Sequence, residues 1–547
     1  VGVHLNFAPV LDVNSNPLNP VINTRSFGED PEAVASLGAA YLAGARAGGI
    51  LTTAKHFPGH GDTRTDSHVE LPIVEADRAR LEALELVPFR RAVAEGVDAV
   101  MTAHVAVPEI LGLSGPPATL SPFFLTELLR EDMGFQGLLL TDALRMGAIS
   151  DGYGVGESAV LALMAGADIL LAPGDIWETL DAVEEAVESG RITRDRLDAS
   201  VARILEMKAR MGLHRNRDVD LSRIGDVVGS GAHLAFADSA AARSMTLPRD
   251  RDGLIPVDPL RTRRILHVVY ARPGDLTAGR ALGGLLGEYF PRVTTRRLTP
   301  ESPATEYQAL EWIAGQSDLV MVSAFVPPRS GAGEVAVPAP LARFVSESQG
   351  RRPTLVVAFG NPYLLSSFPE IGTYLLAWGS REVSQRAAAR ALVGETAISG
   401  TLPISIPPLH RLGEGLRRDA VPELPRLGAE ADQLLEVGVV RGPGHPGGAA
   451  EADPGRDPYT TSADEARANC RLRPELGSGV DLCLVGGGMV PSPLEVDPAM
   501  VGLDAEALAE VDAILWTALA DSASPGVAIA VGRHGKLARL RGYGVLD

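Results

Sequence analysis

The first 213 residues repeat one pattern, in which a short apolar run precedes a longer stretch whose apolar residues have helical spacing. Five such runs occur: "VHLNFAPVLDV", "GILTTAKHF", "AVMTAHVAV", "GLLLTDALR" and "ADILLAP". Continuous apolar strands that alternate with amphipathic helices are typical of parallel βα units. The pattern therefore predicts an α/β fold.

Polar residues lie near the ends of four of these runs, namely Asp12, Lys55 with His56, His104 and Asp142. TIM-type barrels place their active-site residues at the carboxyl ends of the strands. We therefore predict that the first part is an incomplete TIM-type (β/α)8 barrel. Such a barrel has eight strands, so we expect about three N-terminal βα units, roughly 100 residues, to be missing.

The rest of the chain divides into four further segments. After the barrel part (1–213) we predict a helical connection (214–258) and then an α/β sandwich with helices on both faces (259–410). Residues 411–500 are rich in Gly, Pro, Ala and charge, which indicates a linker. Residues 501–547 read as a helix followed by two strands around "RHG".

Composition excludes several classes of protein. The net charge of −19 argues against nucleic acid as a partner. Apolar runs fall short of the roughly 18 residues that a membrane span requires, so none is expected. The two cysteines, Cys470 and Cys483, provide neither a disulfide framework nor a CxxC metal site.

The stretch "KHFPGHGDTRTDSH", residues 55–68, contains the densest group of chemically active side chains. Pro58, Gly59 and Gly61 disfavour a helix after the strand. His56 and His60 are four residues apart, but without a helix they do not share a face, which weakens the simplest argument for a metal site. A metal-dependent barrel hydrolase that takes ligands from several strand ends stays open as an alternative.

Within this stretch, "DSH" predicts an acid/base pair. Asp66 can bond one ring nitrogen of His68 and leave the other free for proton transfer. The alternative is a surface loop with incidental polar residues.

Two further residues have both a functional and a structural interpretation. Asp142 follows a buried strand, where a carboxylate is costly unless it binds or reacts, but it could instead cap the next helix. Arg25 could hold a ligand or pair with a structural acid such as Asp12.

The motifs "NFAPVLDV", "NTRSFGEDP", "KHFPGHGDT", "DSH" and "TDALRMGAI" together resemble glycoside hydrolase family 3, in its bacterial β-N-acetylglucosaminidase branch. The resemblance covers about 1–410 and implies a retaining mechanism without a cofactor or metal. It implies that Asp142 is the nucleophile and that His68, with Asp66 as its partner, is the acid/base. It also implies that three residues hold the sugar hydroxyls: Arg25, Lys55 and His56.

The implied substrate is a small carbohydrate with a terminal, non-reducing β-linked N-acetylglucosamine, such as a muropeptide or another peptidoglycan fragment. A bacterial source with export to the periplasm fits the resemblance, although the sequence leaves the compartment undetermined. The family's "DQEGGRV"-like segment does not occur, so a chain of this extent is expected to bind sugar poorly and to be inactive by itself. Alternatives are a β-glucosidase, a phosphorylase that uses phosphate in place of water, and a non-catalytic sugar-binding module.

The tail "ASPGVAIAVGRHGKLARLRGYGVLD" resembles the opening hairpin of serine β-lactamase-like hydrolases. Those enzymes need a Ser-x-x-Lys motif further along, and none follows before Asp547. We therefore expect residues 501–547 to be the truncated start of such a domain.

Overall fold

The computed structural model describes residues 2–67, 70–328, 336–422 and 425–427, together with the backbone of two strands between 526 and 544. The chain divides into two compact units, 1–439 and 440–547.

The first sheet consists, in the described residues, of parallel strands in chain order, as the apolar runs predict. They are β1 (Leu5–Asn6), β2 (Leu51–Phe57), β3 (Ala99–Thr102) and β4 (Leu138–Leu140). The fifth predicted strand is reduced to a single parallel bridge between Leu140 and Ile169. The Leu139 N–H donates to the Asp168 carboxylate at 3.0 Å. A side chain thus accepts a backbone N–H that would bond a strand carbonyl in a regular parallel pair.

Helices pack against this sheet. Side chains of N-cap residues bond the first turns of several of them. Asp30 caps α1, Asp175 caps α7 and Thr193 caps α8 through side-chain oxygens that accept backbone N–H groups. The helices are α1 (Pro31–Ala47), α2 (Arg78–Ala83), α3 (Leu86–Ala94), α4 (Pro108–Leu111), a π-helix (Phe123–Asp132), α5 (Gly147–Tyr153), α6 (Val155–Ala165), α7 (Ile176–Glu188) and α8 (Arg194–Arg210).

Two α-helices and a strand, besides a short 3-10 helix, occupy the predicted helical connection. They are α9 (Ile224–Val227), α10 (Gly231–Ser244) and β5 (Thr246–Asp250). The expectation of a purely helical connection is therefore wrong for its last part, since β5 pairs antiparallel with an edge of the second sheet. All five residues of β5 are buried, a property that tertiary contacts create and local sequence does not show.

The second sheet has the order β5-β10-β9-β8-β6-β7 in the described residues, with every pair except β5–β10 parallel. Its strands and helices are β6 (Arg264–Tyr270), α11 (Arg280–Tyr289), β7 (Arg292–Leu298), α12 (Ala304–Gly315), β8 (Leu319–Val326), α13 (Ala339–Gln349), β9 (Thr354–Gly360), β10 (Thr373–Leu376) and α14 (Glu382–Val393).

Helices cover both faces of this sheet, as predicted. Successive residues of β6 alternate between two cores: Ile265 packs with α11 and α14, and Leu266 packs with α12 and α13. The sequence did not predict β7, because "RVTTRRL" is largely polar and lies at the sheet edge with its first residue exposed.

Loops of the second α/β part contact loops beside the first sheet, within the same compact unit. The Glu29 carboxylate accepts hydrogen bonds from the Ser405 N–H at 2.7 Å and the Ser405 hydroxyl at 2.6 Å. Asn14 Nδ2 donates to the Tyr363 hydroxyl at 2.9 Å. Asn14 follows Asp12 by two residues, so the second part braces a segment that belongs to the site described below.

The backbone of β11 (Gly526–Arg533) and β12 (Lys536–Gly544) forms an antiparallel hairpin, which confirms the two predicted strands. The predicted helix before it, most of the predicted linker and the other residues of the β-lactamase-like segment lie outside the described residues. Among the helices that the structure does describe, none has both the length and the apolarity to cross a membrane.

We predict that His267 makes the protein sensitive to acid. Burial lowers its pKa from 6.5 to about 4, and its Nε2 lies 2.9 Å from the Ser323 hydroxyl. Between pH 6.5 and 4 the histidine is therefore protonated in the unfolded chain but neutral in the folded chain. The free energy of unfolding falls over this range by up to about 3 kcal/mol. His267→Gln should reduce this loss in urea unfolding at pH 7 and 4.5, whereas His214→Gln, at an exposed position, should not. An unchanged acid loss in His267→Gln would contradict the prediction.

Candidate active site

The buried carboxylate of Asp12 joins the first segment to the end of β2. A bridge between Val10 and Lys55, with the Leu11 N–H donating to the Lys55 carbonyl at 2.6 Å, sets Asp12 beside His56. Asp12 is completely buried. Its oxygens accept the His56 ring Nδ1–H at 2.7 Å, the His56 backbone N–H at 3.2 Å and the His60 backbone N–H at 2.7 Å.

These contacts keep Asp12 ionised. Burial by itself raises its pKa, but the charge and hydrogen bond of His56 and the hydrogen bond from His60 outweigh burial, and the pKa lies below the usual 3.8. A carboxylate only accepts hydrogen bonds, so Nδ1 of His56 carries a proton and Nε2 is the ring nitrogen that remains for other contacts.

His56 Nε2 faces the open side of the site. Arg25 Nη2 lies 3.3 Å from it, and Asp142 Oδ2 lies 4.0 Å from it. Arg25 also donates to the Val21 carbonyl at 3.1 Å. The alternative in which Arg25 pairs with Asp12 is not what the structure shows, because His56 occupies that carboxylate.

Asp142 follows β4 and points toward His56. Its side chain is 24% exposed, so the carboxylate is enclosed yet reachable by a ligand. Oδ1 accepts the Ala143 N–H at 2.8 Å, and the next helix, α5, begins only at Gly147. The helix-cap interpretation of Asp142 is therefore wrong, because the chain makes a turn before the helix starts.

The surroundings of Asp142 favour its ionised form. Burial raises its pKa, but the nearby charges of His56, His104 and Lys55 and the Ala143 N–H bring the pKa below the usual 3.8. His104 also fixes this turn, since its Nε2 donates to the Ala143 carbonyl at 3.0 Å.

Lys55 adds a second cation to the same strand end. Burial and the neighbouring charge of Arg25 lower the pKa of its amine, while Asp142 and Asp12 oppose that change. Together with Arg25 it provides N–H donors beside an ionised carboxylate and Nε2 of His56. This combination suits a neutral ligand that carries several hydroxyl groups.

The loop after β2 turns sharply at Gly61, where an added Cβ would overlap the Val13 carbonyl oxygen. In its described part, residues 58–67 are not helical, as predicted. Asp66 and Ser67 are buried in this loop. His68 lies outside the described residues, so its geometry relative to Asp66 stays a prediction.

The two histidines of the "HFPGH" turn are committed to separate hydrogen bonds. His56 Nδ1 bonds Asp12, whereas His60 bonds the hydroxyls of Thr63 and Ser67 at 2.7 and 3.1 Å. The two ring centroids are 6.2 Å apart in an edge-to-face arrangement. Within the described residues, no three His, Cys, Asp or Glu side chains are arranged to hold a metal ion.

A groove of about 890 Å³ lies beside Asp66, between the loop of residues 16–23 and the second α/β part. Arg64, Asn361 and Tyr363 contribute to its walls. Of the residues that the sequence singles out, Asp66 lines the groove, whereas Arg25, Lys55, His56 and Asp142 do not.

The structure brings together Arg25, Lys55, His56 and Asp142, all of which the sequence singles out. Sequence reasoning missed the central part played by Asp12. The available signal was a carboxylate at the end of the first apolar run, but its partner His56 is 44 residues away in the chain.

Comparisons with known proteins agree on one family. The model of the glycosyl hydrolase family 3 N-terminal domain matches residues 1–207. Beta-hexosaminidase A of Pseudoalteromonas piscicida is 30% identical over 457 residues, which cover 74% of each chain. The chain belongs to glycoside hydrolase family 3.

Solved structures also resemble this chain. A family 3 beta-N-acetylglucosaminidase from Paenibacillus sp. str. FPU-7 is 36% identical with a TM-score of 0.66, covering 74% of this chain and 77% of that one. The beta-glucoside phosphorylase BglX is 29% identical with a TM-score of 0.67, covering 74% and 75%. The family shows that this protein is a glycoside hydrolase, and its α/β fold is built on sheets of mainly parallel strands.

We predict that Asp12→Asn disables the site by removing the carboxylate that holds His56. An amide cannot accept from both His56 and His60 as the carboxylate does, so His56 loses the partner that fixes its tautomer. Loss of the correct tautomer should lower kcat/KM at least about 100-fold. The nitrogen-15 shifts of His56 should report the change. Asp175→Asn, which keeps a helix cap, is the control, and an unaltered His56 tautomer in Asp12→Asn would contradict the prediction.

Proposed function

We propose that this protein is a retaining β-N-acetylglucosaminidase that releases terminal, non-reducing N-acetylglucosamine from peptidoglycan fragments. One observation carries the proposal. An ionised, accessible Asp142 carboxylate lies beside Arg25, Lys55 and His56 at the end of parallel strands, in a family whose similar members include N-acetylglucosaminidases.

Asp142 acts as the nucleophile in this proposal. A new bond forms between its carboxylate oxygen and the anomeric carbon while the bond from that carbon to the leaving oxygen breaks. The lowered pKa of Asp142 supports this role, because the group is ionised at neutral pH without a base to deprotonate it. The turn that His104 and the Ala143 N–H hold keeps the carboxylate aimed at the site.

His68 acts as the acid/base, with Asp66 as its partner. The imidazolium gives its proton to the departing oxygen, and the neutral ring then takes a proton from the water that cleaves the glycosyl-enzyme. The motif "DSH" in the family and the burial of Asp66 support the assignment. A histidine suits both steps near pH 7, since its ordinary pKa lies close to that pH.

Arg25, Lys55 and His56 hold the sugar. The two cations donate hydrogen bonds to hydroxyl oxygens, and Nε2 of His56 bonds a further hydroxyl, which can either donate or accept. Because the Asp12 contact fixes the orientation of the His56 ring, the position of Nε2 is set before the sugar arrives. Such preorganisation favours catalysis over weak, adaptable binding.

The finer domain assignments also belong to this proposal. We assign 1–213 to a TIM-type barrel topology, supported by parallel strands in chain order. Residues 259–410 form the family's C-terminal sandwich, supported by the two-faced second sheet. The hairpin of β11 and β12 is compatible with a serine β-lactamase-like start.

A phosphorylase is the second candidate, because a similar solved structure is a beta-glucoside phosphorylase. The two activities differ in the acceptor of the glycosyl group. Product analysis with and without inorganic phosphate separates them, since only the phosphorylase yields a sugar 1-phosphate. Comparing N-acetylglucosaminides with glucosides tests the β-glucosidase alternative.

Asp142→Asn is expected to abolish turnover and covalent labelling in the active protein. The amide is a poor nucleophile, so a fluorinated N-acetylglucosaminide should leave no adduct detectable by mass spectrometry. Asp175→Asn, at an exposed helix cap, should label like the wild type. Labelling that survives in Asp142→Asn would refute the nucleophile assignment.

His68→Ala is expected to slow poor leaving groups far more than good ones. A leaving oxygen of high pKa needs a proton, whereas an activated aryl oxide does not, so the losses should differ by about 100-fold or more. The measurement is kcat/KM over a series of aryl N-acetylglucosaminides. Equal losses across the series would argue against the acid/base role.

A further inference from the structure

His60 is a buried residue that the proposed mechanism leaves unused. The residue is only 2% exposed, although it lies between two parts of the candidate site. Nδ1 lies 2.7 Å from the Thr63 hydroxyl, and Nε2 lies 3.1 Å from the hydroxyl of Ser67. Ser67 is the middle residue of the "DSH" motif.

The contacts of the His60 ring show which of its two nitrogens carries the proton. The Thr63 hydroxyl donates to the His60 carbonyl at 3.1 Å, so Nδ1–H donates to that hydroxyl oxygen. Nε2 is then an acceptor for the Ser67 hydroxyl proton. Burial lowers the pKa of His60 to about 4, so the ring stays neutral over the range in which glycoside hydrolysis by a histidine acid operates.

His60 also connects to the sugar-binding side of the site through its backbone. Its N–H donates to Asp12 Oδ1 at 2.7 Å, and the other Asp12 oxygen accepts from His56 Nδ1 at 2.7 Å. Asn19 Nδ2 holds the His60 carbonyl at 2.8 Å. One continuous set of hydrogen bonds therefore runs from His56, beside Asp142, to Ser67.

We propose that His60 is a positioning residue, which holds Ser67 and thereby fixes the segment bearing Asp66 relative to Asp12 and His56. This inference rests on the proposed acid/base role of the "DSH" motif. General acid catalysis requires the proton donor to stay within hydrogen-bond reach of the leaving oxygen. A loop released from His60 spends less time in that geometry, while the nucleophile and the sugar contacts remain.

The proposal predicts a specific kinetic signature. Ser67→Ala removes the hydroxyl that His60 holds and changes little else. It should lower kcat/KM about tenfold to 100-fold for N-acetylglucosaminides with poor leaving groups, and by less than about threefold for activated aryl substrates. A simple loss of stability would lower both alike.

Two substitutions of His60 itself separate its two ring contacts. An asparagine side chain places its amide near the position of Nδ1, and a glutamine places it near Nε2. His60→Asn should therefore lose the Ser67 contact and behave like Ser67→Ala, whereas His60→Gln should retain most activity toward poor leaving groups. In the double variant Ser67→Ala with His60→Asn, the loss should not exceed that of either single change.

The chain offers a matched control for Ser67→Ala. Ser323 is also a buried serine bonded to Nε2 of a buried histidine, His267, but it lies in the second sheet. Ser323→Ala should leave the dependence on the leaving group unchanged. Thermal unfolding of both serine variants measures any common loss of stability.

The His68→Ala series distinguishes the two proposals. If His68→Ala shows the leaving-group dependence and Ser67→Ala and His60→Asn do not, the positioning role of His60 is wrong and the proposed function stands. Losses in Ser67→Ala that are equal for all leaving groups also overturn it. If His68→Ala itself lacks the dependence, the acid/base assignment fails and the positioning role fails with it.

Discussion

The candidate site depends on one buried ion, the carboxylate of Asp12. An ionised group in a protein interior is costly unless hydrogen bonds and opposite charge compensate it. Here three N–H donors from His56 and His60 supply that compensation. The same bonds fix the ring of His56 and the start of the loop that carries Asp66, so satisfying the carboxylate also orders both sides of the site.

The structure places side chains of the same type in different surroundings. Asp12 and Asp142 are both held ionised, but Asp12 is fully enclosed and bonded while Asp142 keeps an exposed face. His56 presents Nε2 to the site, whereas both ring nitrogens of His60 are occupied by hydroxyls. Burial and partners thus separate the reactive residues from those that support them.

Much of the architecture follows from local pattern. Periodicity predicts the parallel strands β2, β3 and β4 and the two-faced second sheet, because buried strands need continuous apolar runs. It fails for β5 and β7 at the edges of the second sheet. Edge strands need less apolar sequence, and their pairing partners are distant in the chain: Thr246 of β5 pairs with Leu376.

The sequence by itself determined the α/β class and the residues whose types and spacing carry chemistry, among them Asp142, Lys55 and His56. Only the tertiary structure decided what each carboxylate does. The turn before α5 removes the capping role of Asp142. The segment that contains Asp12 lies beside the end of β2, so Asp12 bonds His56 and does not pair with Arg25. The hydrogen bonds of a buried charge come from atoms that folding brings together. The spacing of residues along the chain does not show which of these atoms will lie within hydrogen-bond distance.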